Sequence, residues 1–269
     1  MKDKRVLYVS SEVIPYLPET EISSMSFEAP RMVNNNEGQI RIFMPRYGNI
    51  NERRHQLHEV IRLSGMNLVI NDLDMPLIIK VASIPKERMQ VYFIDNEDYF
   101  KRKATYADED GKLFPDNDER AIFFAKGVIE TVKKLNWSPD IIHVHGWLAS
   151  FLPLYLRTYY DTEPLFENSK IVTSVYNQGF EGTLDMELKN KIKFDGIEES
   201  LIAHLETPDY FNIMKTAVDH SDGVIVGSDS IPGALTDYLE KLDKPVLKFH
   251  NKDEFSEAYL DFYRSKVLS

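Results

Sequence analysis

Apolar residues along this chain fall into short continuous runs separated by stretches of helical period. The runs Val6–Val9, Ile40–Met44, Leu77–Val81, Met89–Phe93, Ile141–Val144, Ile171–Val175, Val224–Val226 and Val246–Phe249 read as strands. Several are unbroken rather than alternating, the pattern of strands covered on both faces. Between them, Ile22, Met25, Ala29, Met32 and Val33 share one helical face, and the polar run Asn34–Gly38 ends that helix. A second helix is predicted from Asp116, with Glu119 spaced for a capping box and Ile122, Ala125, Ile129 and Val132 on one side. A third covers Leu148–Tyr160, where Pro153 predicts a kink, and a fourth, Phe211–His220, leads into the Val224 strand. The last, Glu254–Val267, carries an apolar stripe of Phe255, Ala258, Tyr259, Phe262 and Tyr263. Strand and helix in repeated alternation predict an α/β fold: a single Rossmann-like domain with a mostly parallel, doubly wound sheet. The long polar stretch Tyr99–Asn117 reads as an active-site excursion or a β-hairpin insert.

Composition narrows the function. The 269 residues include 32 Lys and Arg against 43 Asp and Glu, a net charge of −11. Such a chain has no basic footprint for nucleic acid or anionic lipid, so neither is expected as a partner. Cys is absent, which excludes disulfides, CxxC zinc sites and thiol nucleophiles. The apolar run after Met1–Arg5 is too short for a signal peptide, and no stretch approaches the ~20 apolar residues of a membrane span. The expectation is a cytoplasmic protein, and no cofactor or metal site is implied.

Several motifs then resemble one family. Val6-Leu7-Tyr8-Val9-Ser10-Ser11-Glu12, followed by Pro15-Tyr16, is similar to the opening strand and loop of bacterial glycogen synthases and plant starch synthases. Met44-Pro45-Arg46-Tyr47-Gly48, Phe93-Ile94-Asp95-Asn96, Asp116-Asn117 with Arg120, and Asp140–His145 with Trp147 continue the resemblance in order. Phe211-Asn212 with Met214-Lys215, and Asp222-Gly223-Val224 with Val226 and Ser228, complete it. The resemblance covers about residues 4–230 and implies the N-terminal half of a GT-B glycosyltransferase. Family members are two-half enzymes that add glucose from ADP-glucose, with retention, to the end of an α-1,4-glucan. The nucleotide pocket and the basic and acidic catalytic residues belong to the other half, so no catalytic residue is assigned here. The expected organisation is a Rossmann-like domain over residues 1–249, with the helix of 250–269 packing back on it.

The chain also departs from the family pattern. A Lys-Thr-Gly-Gly-Leu motif suits a phosphate, with a cation and glycines that let backbone N–H groups approach the anion. Here the matching stretch is Pro18-Glu19-Thr20-Glu21-Ile22, which places carboxylates where a diphosphate should lie. The family's His-x-His-Asp-Trp-His reads His143-Val144-His145-Gly146-Trp147-Leu148, and its Thr-x-His-Asn turn reads Thr173-Ser174-Val175-Tyr176. Gln178-Gly179 matches the family's Gln-Gly.

The cleft candidates are Ser11, Glu12, Asp116, Asn117, Arg120, His145, Trp147 and Gln178. Each has a plainer reading beside it. Asp116 caps a helix and Arg120 makes a surface pair; Trp147 is core; His143 and His145, on one face of a strand, are packed histidines rather than metal ligands. His55 and His58 read as one face of a solvated helix, Gly227–Ser230 as a turn, and the basic-aromatic Tyr99–Tyr106 either as a solvated loop or as a holder of glucan or phosphate. Three functions remain open: a glucosyltransferase completed by a separate partner chain, a non-catalytic glucan-binding or regulatory relative, and a small-molecule enzyme reusing the fold. The degraded motifs favour the second, with an α-glucan, a sugar nucleotide or a partner protein as its ligand.

Overall fold

A computed structural model describes residues 1–269 of the chain. The strands are β1 (Arg5–Ser10), β2 (Gln39–Pro45), β3 (His58–Glu59), β4 (Met66–Ile70), β5 (Leu73–Ser83), β6 (Gln90–Asp95), β7 (Ile141–His145), β8 (Lys170–Val175), β9 (Gly223–Val226) and β10 (Val246–Leu247). They form one sheet in the order β10-β9-β8-β7-β1-β2-β6-β5-β3, with β4 paired to β5. Pairings from β10 to β6 are parallel, and those of β5 with β6, β3 and β4 are antiparallel. The fold is therefore a mostly parallel, mixed α/β sheet, as the alternation predicts. The chain winds outward from β1 in both directions, so strand order reverses between β1 and β7, and Ser10 pairs with His145 at that junction.

The helices are α1 (Glu21–Asn35), α2 (Glu52–His55), α3 (Glu97–Phe100), α4 (Asn117–Leu135), α5 (Phe151–Arg157), α6 (Leu188–Phe194), α7 (Tyr210–Asp219), α8 (Gly233–Leu239) and α9 (Phe255–Phe262), the last continued by a π turn to Val267. α1 starts where Thr20 and Ser23 close a reciprocal capping box, and its buried side presents Ile22, Ala29, Met32 and Val33 to the sheet. Buried apolar side chains form one continuous core from Met1 to Val267.

Several local expectations are corrected. Asp116 does occupy the N-cap of α4, but its side chain makes no cap bond. Instead Arg102 donates to both its oxygens, at 2.8 and 2.6 Å, because a bidentate charged pair outcompetes a neutral amide. Glu119 accepts from Tyr99 at 3.0 Å rather than closing a box. Pro153 does not kink its helix: the backbone breaks earlier, at a 3-10 turn over Trp147–Ala149, which puts Pro153 in the first turn of α5 where no N–H is needed. His55 ends the four-residue α2 and His58 lies on β3, so they share no helical face. The last strand closes after Leu247, two residues short of the predicted end.

Candidate functional site

Where strand order reverses, the loops after neighbouring strands part and leave a crevice at their C-terminal ends. Here those loops carry Ser11-Glu12 after β1, Gly146-Trp147 after β7 and Asn177-Gln178 after β8. Ser11 N–H donates to the His145 carbonyl at 3.0 Å, which stitches the first two loops together. Gly146 sits at φ +82°, and a Cβ there would meet Ser11 Oγ at 2.0 Å. The aspartate of the resembled family cannot stand at this position without displacing Ser11.

Glu12 is the hub. Its carboxylate is nearly buried, at 5% exposure, and is held by three neutral donors. Thr20 Oγ1 donates at 2.7 Å, Tyr106 Oη at 2.9 Å and Gln178 Nε2 at 2.8 Å. These donors come from the turn into α1, from the 101–116 excursion and from the loop after β8, so one side chain gathers three segments. Around it stands an aromatic wall: Tyr106 lies 4.9 Å from Trp147, and Trp147 lies 5.0 Å from Phe180.

The N-terminus of α1, where the resembled motif would receive a phosphate, is already occupied. Glu21 stands in its first turn and accepts a hydrogen bond from Ser228, while Ser228 Oγ also receives the Asn177 N–H at 2.9 Å. The Gly227–Ser230 turn thus closes over the helix end. The expected consequence is tested by Pro18→Lys combined with Glu21→Gly. One unit-charge pair at 4 Å is worth about 4 kcal/mol at an effective dielectric of about 20, so the double variant should bind inorganic pyrophosphate at least about tenfold more tightly. Equal affinities by calorimetry would show that these two residues do not decide anion exclusion.

The remaining candidates lie apart from Glu12. Asn117 donates through Nδ2 to the Tyr106 carbonyl at 2.8 Å and accepts from Arg120. Arg120 is fully buried rather than a surface pair, with its guanidinium 5.6, 5.1 and 5.4 Å from the rings of Tyr47, Phe100 and Phe114. Asp116, Asn117 and Arg120 therefore brace the excursion that delivers Tyr106. That excursion is a narrow hairpin, with one antiparallel bridge between Ala107 and Leu113. The solvated-loop reading fails at its start, because Tyr99 and Phe100 are buried. Tyr106 and Thr20, the two donors not among the cleft candidates, carry no distinguishing motif; only the aromatic run Tyr99–Tyr106 hinted at the first.

His145 turns into a buried layer. Its Nδ1 is 2.7 Å from Tyr176 Oη, and its ring centre is 4.0 Å from that of His143. His143 in turn lies 2.6 Å from Tyr263 Oη and 2.7 Å from Ser174 Oγ. Tyr8 and Tyr259 complete the surroundings, and no carboxylate hydrogen-bonds to either ring. Burial drives the His145 imidazole down to about 3 and His143 well below the ordinary 6.5.

Both histidines stay neutral in the folded chain but bind protons below pH 6.5 once unfolded, so stability falls as pH drops from 6.5 toward 3. Each contributes a slope of about 1.4 kcal/mol per pH unit. Burial acts oppositely on Asp118, raising it to about 6 from 3.8, which offsets one histidine between about pH 6 and pH 3.8 only. Urea midpoints should therefore decline from pH 7 to pH 5, and a flat profile would refute the neutral pair.

Comparison with known proteins agrees with this architecture. The family model described as the starch synthase catalytic domain matches residues 5–240. The glycogen synthase of Chlorobium limicola is 36% identical over 219 residues, 81% of this chain and 44% of the relative. That of Chlorobaculum tepidum is 34% identical over 255 residues, 91% of this chain and 49% of the relative. This chain spans about half the length of the curated relatives it matches. Among solved structures, the catalytic domain of starch synthase IV from Arabidopsis thaliana, bound to ADP and acarbose, superposes with a TM-score of 0.74. That match has 16% identity and covers 93% of this chain and 52% of the other, a likeness of fold. With the family model spanning most of its length and glycogen synthases matched across four-fifths of it, the chain belongs to the starch synthase catalytic domain family.

Proposed function

We propose that this chain binds the end of an α-glucan at the β1–β7 crevice and does not transfer glucose there from a sugar nucleotide. The observation that supports it is the Glu12 carboxylate, nearly buried, lacking a cation among its hydrogen-bond partners and satisfied by two hydroxyls and an amide. A sugar ring offers hydroxyl donors of the same kind, and its C–H face suits the half-buried rings of Tyr106 and Phe180, with Trp147 buried in the core behind them. A diphosphate brings the opposite chemistry. It would meet Glu12, Glu19 and Glu21 with no lysine at position 18 to offset them.

The test is incubation of the purified chain with radiolabelled ADP-glucose and glycogen. No incorporation is expected above a boiled control, whereas the glycogen itself should retard the chain in affinity electrophoresis. Robust elongation would overturn the non-transferring reading and favour a conventional glucosyltransferase; absence of retardation would overturn glucan binding.

A further inference from the structure

Two segments wall the crevice. One is the loop after β8, which brings Gln178 to Glu12, lays Phe180 against Trp147 and then runs through Asp185 into α6. The other is the 101–116 excursion, whose Tyr106 reaches Glu12, lies against Trp147 and is held by Asn117 at the start of α4. Besides Glu12, Lys191 joins them. This side chain, on α6, is buried, and its ammonium has three N–H donors. They reach three different carboxylates: Asp118 at 2.8 Å, Glu119 at 2.8 Å and Asp185 at 3.1 Å.

Two of these carboxylates belong to the first turn of α4, on the excursion side. Asp118 follows Asn117, which carries the Tyr106 carbonyl, and Glu119 accepts from Tyr99 at the base of the excursion. The third, Asp185, lies on the opposite segment, between Phe180 and α6. Removing the ammonium would leave Asp118 fully buried without its cation, so the join is strong. Lys193 of the same helix differs: it is exposed and pairs only with Glu199, in the turn that follows. We propose that Lys191 is a positioning residue of the crevice, holding its Tyr106 and Phe180 sides at the spacing a glucan end requires. The proposal rests on the glucan reading of that crevice, and Lys191 acts there through Asp118, Glu119 and Asp185. With the ammonium in place both rings are set before a ligand arrives, which leaves less ordering for binding to supply. Without it the two segments move independently and uncover Trp147.

Trp147, 2% exposed behind Tyr106 and Phe180, reports that spacing without any ligand. In a parent chain carrying Trp137→Phe it is the sole tryptophan. Lys191→Met should raise its acrylamide quenching constant by about twofold or more and weaken maltoheptaose binding by about tenfold or more. Asp185→Asn keeps the acceptor for the Glu187 N–H but turns an amide N–H₂ toward the ammonium. It should produce smaller changes in the same direction, and none when added to Lys191→Met. Lys193→Met should alter neither quantity. A lowered melting point with unchanged quenching in Lys191→Met, full additivity with Asp185→Asn, or equal changes in Lys193→Met would each overturn the proposal. Should Lys191→Met not fold, Asp185→Asn alone decides, and unchanged quenching and affinity there would overturn it. A parent chain that does not bind maltoheptaose would instead overturn the glucan reading, with the quenching series still deciding whether Lys191 sets the two sides.

Discussion

Removal of residues 250–269 should abolish the cooperative unfolding transition of the 269-residue chain or lower its midpoint by more than about 10 °C, since each kcal/mol moves a chain of this size by about 2–4 °C. Phe255, Tyr259, Phe262, Tyr263 and Val267 are all buried and belong to the continuous core. Burying one such side chain is worth about 1.5–3 kcal/mol, so the five together rival the ~5–15 kcal/mol that holds a typical domain folded. The cut also removes Tyr263 from His143, leaving a buried imidazole nitrogen without its partner. Scanning calorimetry of the shortened chain checks this. An unchanged melting point would mean that the final helix is not part of the stabilising core.

The second large effect belongs to Glu12. Glu12→Ala should weaken binding of maltoheptaose by about tenfold or more, since hydrogen bonds to a charged group carry about 1.5–3 kcal/mol. Thermal stability should also fall, because Thr20, Tyr106 and Gln178 lose a common acceptor. Asn117→Ala, which loosens the Tyr106 backbone without touching Glu12, separates the two effects: it should weaken binding less than Glu12→Ala. Equal maltoheptaose affinity in wild type and Glu12→Ala would remove Glu12 from the binding site.

Much of the fold was legible because its signals are local. Unbroken apolar runs such as Ile141–Val144 mark strands buried on both faces, and the Ile22–Val33 spacing marks a helix on the sheet. The short antiparallel pieces β3 and β4 were not legible, since two and five residues with half-exposed patterns carry little periodicity. Site residues divide in the same way. Ser11, Glu12, Trp147 and Gln178 follow strand ends, which topology places at the crevice. The Glu12–Tyr106 and Glu12–Gln178 contacts join positions 94 and 166 residues apart, and no local pattern reports them. Arg120 shows the limit most clearly. A charged side chain reads as surface until the rings of Tyr47, Phe100 and Phe114, from three separate segments, are seen around it. Asp116 failed for a related reason: its partner Arg102 lies across a loop and outcompetes the local cap.

The central claim is selectivity for the glucan over the nucleotide donor at one crevice. Its most direct measurement is a pair of calorimetric titrations of the purified chain, one with maltoheptaose and one with ADP-glucose. Saturable binding of maltoheptaose, weakened in Glu12→Ala, is expected, with no detectable heat from ADP-glucose over the same concentration range. Saturable binding of ADP-glucose to the wild-type chain, unaffected by maltoheptaose or with maltoheptaose silent, would contradict it.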